Sequence, residues 1–324
     1  MAILVTGGAG FIGSHFIERL LTSRDEPVVC LDSFNDYYDP RLKRANVARF
    51  SGDARVHVVE GSFCDRRLVD EIFERNEVTH VVHLGAYAGV RYSVENPYPY
   101  QQANVEGTLV LLETARRRPV QRFLFASSST VYGSGAAAPF REDAPLGVPL
   151  SPYGATKRAG ELLCLNYHQL HQVPAVCLRF FSVYGPRLRP DLAMSIFTAA
   201  IFGGRPLPLF GDGSIRRDFT HYSDVCDGLL AALDASEAVG ECLNLGHNEP
   251  IEVRRLISLL EETIGQKAVI DHRPERPEDM PITCADLTKS GRILGYQPKV
   301  PFEQGVPEFV DWYRGWYGVG SVSE

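Results

Sequence analysis

The sequence predicts an α/β chain, a doubly wound parallel sheet followed by a smaller α+β domain. Short apolar runs alternate with amphipathic stretches from the first residue; the runs are continuously hydrophobic; and the pattern changes near residue 181, where Pro and Gly become dense. Continuous hydrophobicity marks strands covered on both faces, as in a parallel sheet with helices on each side. The first run, AILVT at 2–6, is followed by a helical period at Phe11, Ile12, Phe16, Ile17, Leu20 and Leu21 and then by PVVCLD at 27–32, which makes a βαβ unit. Further strands are expected at 56–59, 78–82, 121–126 and 175–181, with helices near 65–75, 97–117 and 153–172. After 181 the segments YGPRLRP, GGRPLPLFGDG and RPERPEDMP suggest shorter helices and loops that close over the first domain. The expected division is 1–180 and 181–324, with about 216–245, including HYSDVCDGLLAALDA, rejoining the first part.

With 324 residues the chain is long enough for two domains. A composition of 44% hydrophobic and 23% charged residues argues against disorder and coiled coil. Thirty-three basic against 40 acidic residues leave a net charge of −7, which excludes a nucleic-acid backbone as a partner on charge grounds. The start, MAILVTGG, has no basic stretch before an apolar one and no long apolar run follows, so no membrane partner and a cytoplasmic location are expected. Seven widely spaced cysteines without CxxC are read as reduced, mostly buried thiols, and no metal-ligand spacing surrounds any of the nine histidines. His83 ends a buried strand and is read as structural.

The first βα turn is Gly7-Gly8-Ala9-Gly10-Phe11-Ile12-Gly13. The GxxGxxG spacing, with glycines at 7, 10 and 13, allows a tight turn and lets backbone N–H groups approach a pyrophosphate at the helix N-terminus. Asp32 closes the second strand, where a carboxylate accepts from the adenine ribose and repels a 2′-phosphate; NAD is therefore the expected cofactor, on a Rossmann-like sheet. Tyr153 and Lys157 form a YxxxK pair one helical turn apart, a spacing in which the ammonium would favour the phenolate and lower the tyrosine pKa. Upstream, Ser127-Ser128-Ser129-Thr130 places hydroxyls at the carboxyl end of a strand, where open α/β sheets bind ligands.

Together, GGAGFIG, Asp32, ASSSTVYG, YGATK and RDFT resemble the extended short-chain dehydrogenase/reductase family of nucleotide-sugar enzymes. YYDPRLKRAN, HLGAYAGVRYSVENP, RFFSVYGPRLRPDLAMSIFTAAI and RPEDMPITCADLTKS are similar to its UDP-glucuronate 4-epimerase subgroup, over almost the whole chain. The resemblance implies Tyr153 as base, Lys157 as its electrostatic partner and ribose ligand, and Ser128 as the hydroxyl on the reacting oxygen. It also implies NAD contacts from Phe11, Ile12, Ser33, Asn35, Leu84, Ala86, Asn104 and Val183. At Gly61-Ser62-Phe63 the chain departs from the family's usual Gly-Asp, so Ser62 could hydrogen-bond near adenine without charge, and Phe63 beside it is expected to contact the cofactor. The substrate implied is a UDP-sugar uronate and the assembly a homodimer built on the helices near 97–117 and 153–172.

The expected chemistry is transient oxidation to a 4-keto sugar, rotation and re-reduction on the opposite face. Related dehydratases and decarboxylases carry acidic residues where this chain has Ser129 and Thr130. Because a 4-keto uronate is a β-keto acid that loses carbon dioxide readily, its carboxylate needs holding. Ser182, Arg189 with Ser195 nearby, and Arg91 are the candidates, since an arginine fork and a hydroxyl suit a carboxylate. Arg217 and Arg276 resemble the family's diphosphate ligands, and Phe210 its uracil surface. Arg187 is expected to be a solvated loop residue, and Asp218 to pair with an arginine. The rival readings are a UDP-glucose/UDP-galactose 4-epimerase, a UDP-glucuronate decarboxylase, and a non-catalytic NAD-binding sensor.

Overall fold

The computed structural model describes residues 1–275 and 280–319, and among the described residues twelve strands form three sheets. In chain order they are β1 Ala2–Thr6, β2 Val28–Asp32, β3 Val56–Glu60, β4 Val78–His83, β5 Arg122–Ser128, β6 Ala175–Phe180, β7 Ser182–Tyr184, β8 Pro206–Phe210, β9 Arg216–His221, β10 Cys242–Leu245, β11 Pro250–Glu252 and β12 Val269–Arg273. The large sheet has seven strands in the order β10-β6-β5-β4-β1-β2-β3, every neighbouring pair parallel. The winding direction reverses between β1 and β4, the place where doubly wound sheets open a crevice at their carboxyl ends.

The alternation of side chains along each strand feeds two cores. Ile3 and Val5 join Phe16, Ile17, Leu20, Val225 and Leu229 on one face, beneath the helices Phe11–Ser23 and Tyr222–Asp234. Ala2 and Leu4 join Val69, Ile72, Val110, Leu111 and Cys164 on the other, beneath Arg66–Asn76, Thr108–Arg117 and Pro152–His171. The strand Cys242–Leu245 lies beside β6 at the sheet edge. A third core sits outside this sheet, where Met194, Phe197, Leu207, Leu209, Leu256, Leu260, Phe302 and Phe309 join three helices to the smaller sheets. One of these helices, Phe302–Tyr317, runs 16 residues, so the later helices do not uniformly shorten.

The single helix expected at 97–117 is divided. A short turn at Tyr98–Tyr100 leads into π-helix at Gln101–Gly107 and then α-helix at Thr108–Arg117. Asn104, at the wide turn, spends its amide on Tyr87 N–H and C=O and on Thr156 Oγ1, and Gly107 lies where a Cβ would meet Phe63 at 2.4 Å. Such wide turns occur often beside functional sites. The run 175–181 is also cut: β6 ends at Phe180, and Ser182–Tyr184 leaves to pair with β9. Among the described residues no helix is long and apolar enough to cross a membrane, and the seven cysteines are free thiols, five of them buried.

Candidate active site

A cavity of about 510 Å³ opens at the carboxyl ends of β1, β4, β5 and β6 and is closed from the other side by residues after 181. Its floor is the glycine turn. Gly7 has φ +67°, and a Cβ there would lie 2.7 Å from the Gly85 Cα; at Gly13 a Cβ would lie 2.2 Å from the Gly7 carbonyl oxygen. Only glycine lets this turn, the 84–85 loop and the helix Phe11–Ser23 approach so closely. That helix has no side-chain cap, so its first N–H groups face the cavity with the positive end of the helix dipole.

Asp32 lines the cavity at the end of β2 and is almost fully buried. Its Oδ2 accepts from Ala9 N–H at 3.2 Å and its Oδ1 from Phe34 N–H at 2.9 Å. Lys43 Nζ lies 3.6 Å from Oδ1 and donates to Asn35 Oδ1 at 2.9 Å. Lys43 lines the cavity and was not found from the sequence; only its position in YYDPRLK, where the chain doubles back over the end of β2, signals it.

These residues fit a dinucleotide: an uncapped helix start and a side-chain-free turn for a pyrophosphate, and a fixed carboxylate one strand away for a ribose. Gly10, Phe11, Ile12, Asn35, Leu84, Ala86 and Val183 also line the cavity. Ser33 and Ser62 do not; both are exposed, with Ser33 Oγ accepting from Asn35 and Ser62 Oγ from Cys64 N–H. Phe63 and Asn104 are placed behind the wall: Phe63 packs edge-on against His83 at 5.0 Å, and Asn104 holds Tyr87 as described. Neither lines the cavity; both pack against the 85–87 loop that does. His83 is buried between Thr6 Oγ1 and Thr108 Oγ1, at 2.7 and 3.1 Å, and burial drives its pKa down to about 3, so it stays neutral.

The opposite wall carries the hydroxyls and the YxxxK pair. Ser128 ends β5 and caps the turn Ser129–Tyr132, accepting from Thr130 N–H at 3.3 Å and Thr130 Oγ1 at 3.0 Å. Behind it Ser127 Oγ donates to Glu161 at 2.6 Å, and Glu161 is gripped by the Arg179 fork at 2.8 and 3.1 Å. The helix Pro152–His171 starts from a Ser151 cap with Pro at its first position, which brings Tyr153 into its first turn and Lys157 one turn later. Tyr153 N–H donates to Ser93 Oγ at 3.1 Å, and its ring stands edge-on to Tyr100 at 6.1 Å.

The electrostatics differ from the spacing argument. Burial pushes the Tyr153 phenol above its ordinary value, and the groups that pull it back are Ser128 and Arg189. Lys157 instead donates to Ala126 C=O at 2.7 Å, and burial brings its own pKa down to about 7. Desolvation thus outweighs the lysine in the chain by itself.

The cavity also carries arginines. Ser129, Ser182, Arg91, Arg189, Phe210 and Arg217 all line it. The Arg91 guanidinium lies 4.9 Å from the Phe210 ring, with Arg273 at 5.8 Å, and Arg217 donates to Met280 C=O at 2.6 Å. Arg189 forms a fork with Asp191, Nε to Oδ1 at 2.9 Å and Nη2 to Oδ2 at 2.6 Å. Ser195 is not brought in: it is buried on the inner face of the helix Ala193–Phe202. Arg276 lies outside the described residues. Arg187 is not solvated but buried, bonded to Ser14 Oγ at 3.1 Å and paired with Glu18. Asp218 accepts from the N–H groups of His247, Asn248 and Ala285 rather than from an arginine, tying loops together. Among the described residues no group of three or more His, Cys, Asp or Glu is arranged to hold a metal.

Residues 4–309 match the family described as GDP-mannose 4,6 dehydratase. The chain belongs to that family. Among the family's relatives, it is 39% identical over 336 residues to UDP-glucuronate 4-epimerase 3 of Arabidopsis thaliana, spanning 98% of this chain and 78% of that one. It is 38% identical over 315 residues to UDP-glucuronate 4-epimerase of Thermodesulfobacterium geofontis, spanning 96% and 95%. Among solved structures it is similar to UDP-glucuronic acid 4-epimerase from Bacillus cereus in complex with UDP-glucuronic acid and NAD, with a TM-score of 0.92, 36% identity, and coverage of 98% of this chain and 100% of that one.

Proposed function

We propose that this protein is an NAD-dependent isomerase that interconverts UDP-glucuronate and UDP-galacturonate by inverting C4. The observation that carries the reading is one cavity lined by a dinucleotide-shaped glycine floor, by Ser128 and Tyr153, and by Arg189 and Arg217. The similarity to 4-epimerases over nearly the whole chain supports the same substrate. In this reading residues 1–180 with about 216–245 hold the cofactor, and most of 181–324 holds the UDP-sugar.

NAD, held by the 7–13 turn, Asp32 and Lys157, supplies when bound a reversible acceptor for the hydrogen at C4. Tyr153 takes the proton from the C4 hydroxyl and later returns one, while Ser128 fixes the direction of that oxygen. A cation beside Tyr153 makes the proton transfer easier, and Lys157 can supply it by turning from Ala126 toward the ribose. Ser129 and Thr130 keep the wall free of a carboxylic acid, so no side chain there promotes elimination. Ser182 and Arg189, with Arg91 beside Phe210, restrain the uronate carboxylate; Arg217 and Arg276 serve the diphosphate, and Phe210 the uracil.

Incubating the NAD-loaded protein with UDP-glucuronate and separating the products tests the reading. UDP-galacturonate is expected. A pentose nucleotide alone would select a decarboxylase, and NAD binding without conversion a sensor. We also propose a cytoplasmic location and a homodimer, the dimer supported by Tyr98 on the turn Tyr98–Tyr100 and by Leu162 and Leu170 on the helix Pro152–His171, which are 83%, 53% and 63% exposed; sedimentation should give twice the chain mass.

A further inference from the structure

The Arg189 fork that should receive a substrate carboxylate already holds one. Asp191 meets it two-pronged, at 2.9 and 2.6 Å, which is the geometry a uronate would adopt. Arg189 also donates to Ala88 C=O at 3.1 Å and lies 5.6 Å from the Tyr37 ring. These contacts fix the guanidinium at the cavity wall without Asp191. Tyr37 OH donates to Ala88 C=O at 2.9 Å and reaches Asp191 only at 3.5 Å. Asp191 itself is exposed, on the loop before the helix Ala193–Phe202, and its other contact is that long one to Tyr37. Of the two partners, then, the arginine is anchored and the carboxylate is able to leave.

We propose that Asp191 is a specificity-determining residue whose carboxylate occupies the Arg189 fork as a stand-in and is displaced by the carboxylate of a uronate. A neutral sugar brings no competing anion, so the Arg189–Asp191 pair stays closed and presents no net charge to it. A uronate exchanges one carboxylate for another on the same donors, so the cavity never leaves the arginine unpaired, a state that is costly where water is scarce. Asp191 also sets the affinity: its attraction for Arg189 is subtracted from that of the substrate. The inference rests on the uronate reading above.

The test uses NAD-loaded wild type, Asp191→Asn, Asp191→Ala, Arg189→Ala and the Arg189→Ala/Asp191→Asn double variant, with calorimetric titration of UDP-glucuronate and of UDP-glucose at one pH and salt concentration. Both Asp191 variants should tighten the Kd for UDP-glucuronate about tenfold, the scale of one charge-assisted contact, and change that for UDP-glucose less than twofold. In the Arg189→Ala background Asp191→Asn should change neither. Weaker UDP-glucuronate binding by both Asp191 variants, an equal gain for both sugars, or no change would overturn the proposal. A wild-type protein that does not epimerise UDP-glucuronate would overturn the functional reading instead, so the two failures are told apart.

Discussion

Two groups of residues at the cavity are held in different ways. Ser128, Tyr153 and Lys157 stand on regular elements: the last residue of a buried strand and the first two turns of a 20-residue helix, backed by the buried Glu161–Arg179 pair. Arg91, Arg189, Asp191 and Phe210 stand at helix and strand ends or on loops, and are held by ring stacking, backbone carbonyls and each other. The first group must keep one proton path within a fraction of an ångström. The second must tell one anion from another, and exchangeable ion pairs do that where rigid packing cannot.

Damage to the first group should strike turnover and damage to the second should strike selectivity. Tyr153→Phe removes the proton acceptor and should lower kcat about 10³-fold or more while NAD binding, followed by fluorescence titration, persists. Arg189→Ala should lower kcat/KM for UDP-glucuronate about 10- to 100-fold and that for UDP-glucose far less; equal losses would erase the distinction between the groups. A subtler check concerns Lys157. Its folded-state pKa of about 7 lies below its ordinary 10.5, so the unfolded chain binds more protons between those values and stability rises with pH across that window. In urea titrations from pH 7 to 10, Lys157→Met should lose that part of the rise. The smallest effect is expected away from both groups. Burial lowers His15 and His83 to about 3 and His221 to about 4, so the unfolded chain takes up protons first as pH falls below 6.5. Tm should drop from pH 6.5 toward 4, and His83→Gln should make the drop shallower.

The same division explains what the sequence let one read. The glycine turn, Asp32, Ser128, Tyr153 and Lys157 are legible because each is a short spacing within one strand, turn or helix, and local geometry decides where such residues point. Contacts between distant segments are not legible in that way. Arg187 looked like a loop arginine because Glu18, its partner, is 169 residues away; Ser195 sits two residues into a helix whose inward face is set by the third core, so closeness to Arg189 in the chain did not bring it to the cavity. Asn104 lies in a wide turn and bonds to Tyr87 and Thr156, 17 and 52 residues away in the chain. The YxxxK spacing correctly set Tyr153 and Lys157 one turn apart, yet it carries no information on desolvation, which governs both pKa values.

The central claim is that one hydrogen leaves C4 and the same hydrogen comes back on the other face. UDP-glucuronate carrying deuterium at C4, turned over by the NAD-loaded protein in ordinary water, should yield UDP-galacturonate with the deuterium still at C4 by NMR. Product with protium at C4, or no UDP-galacturonate at all, would contradict the account.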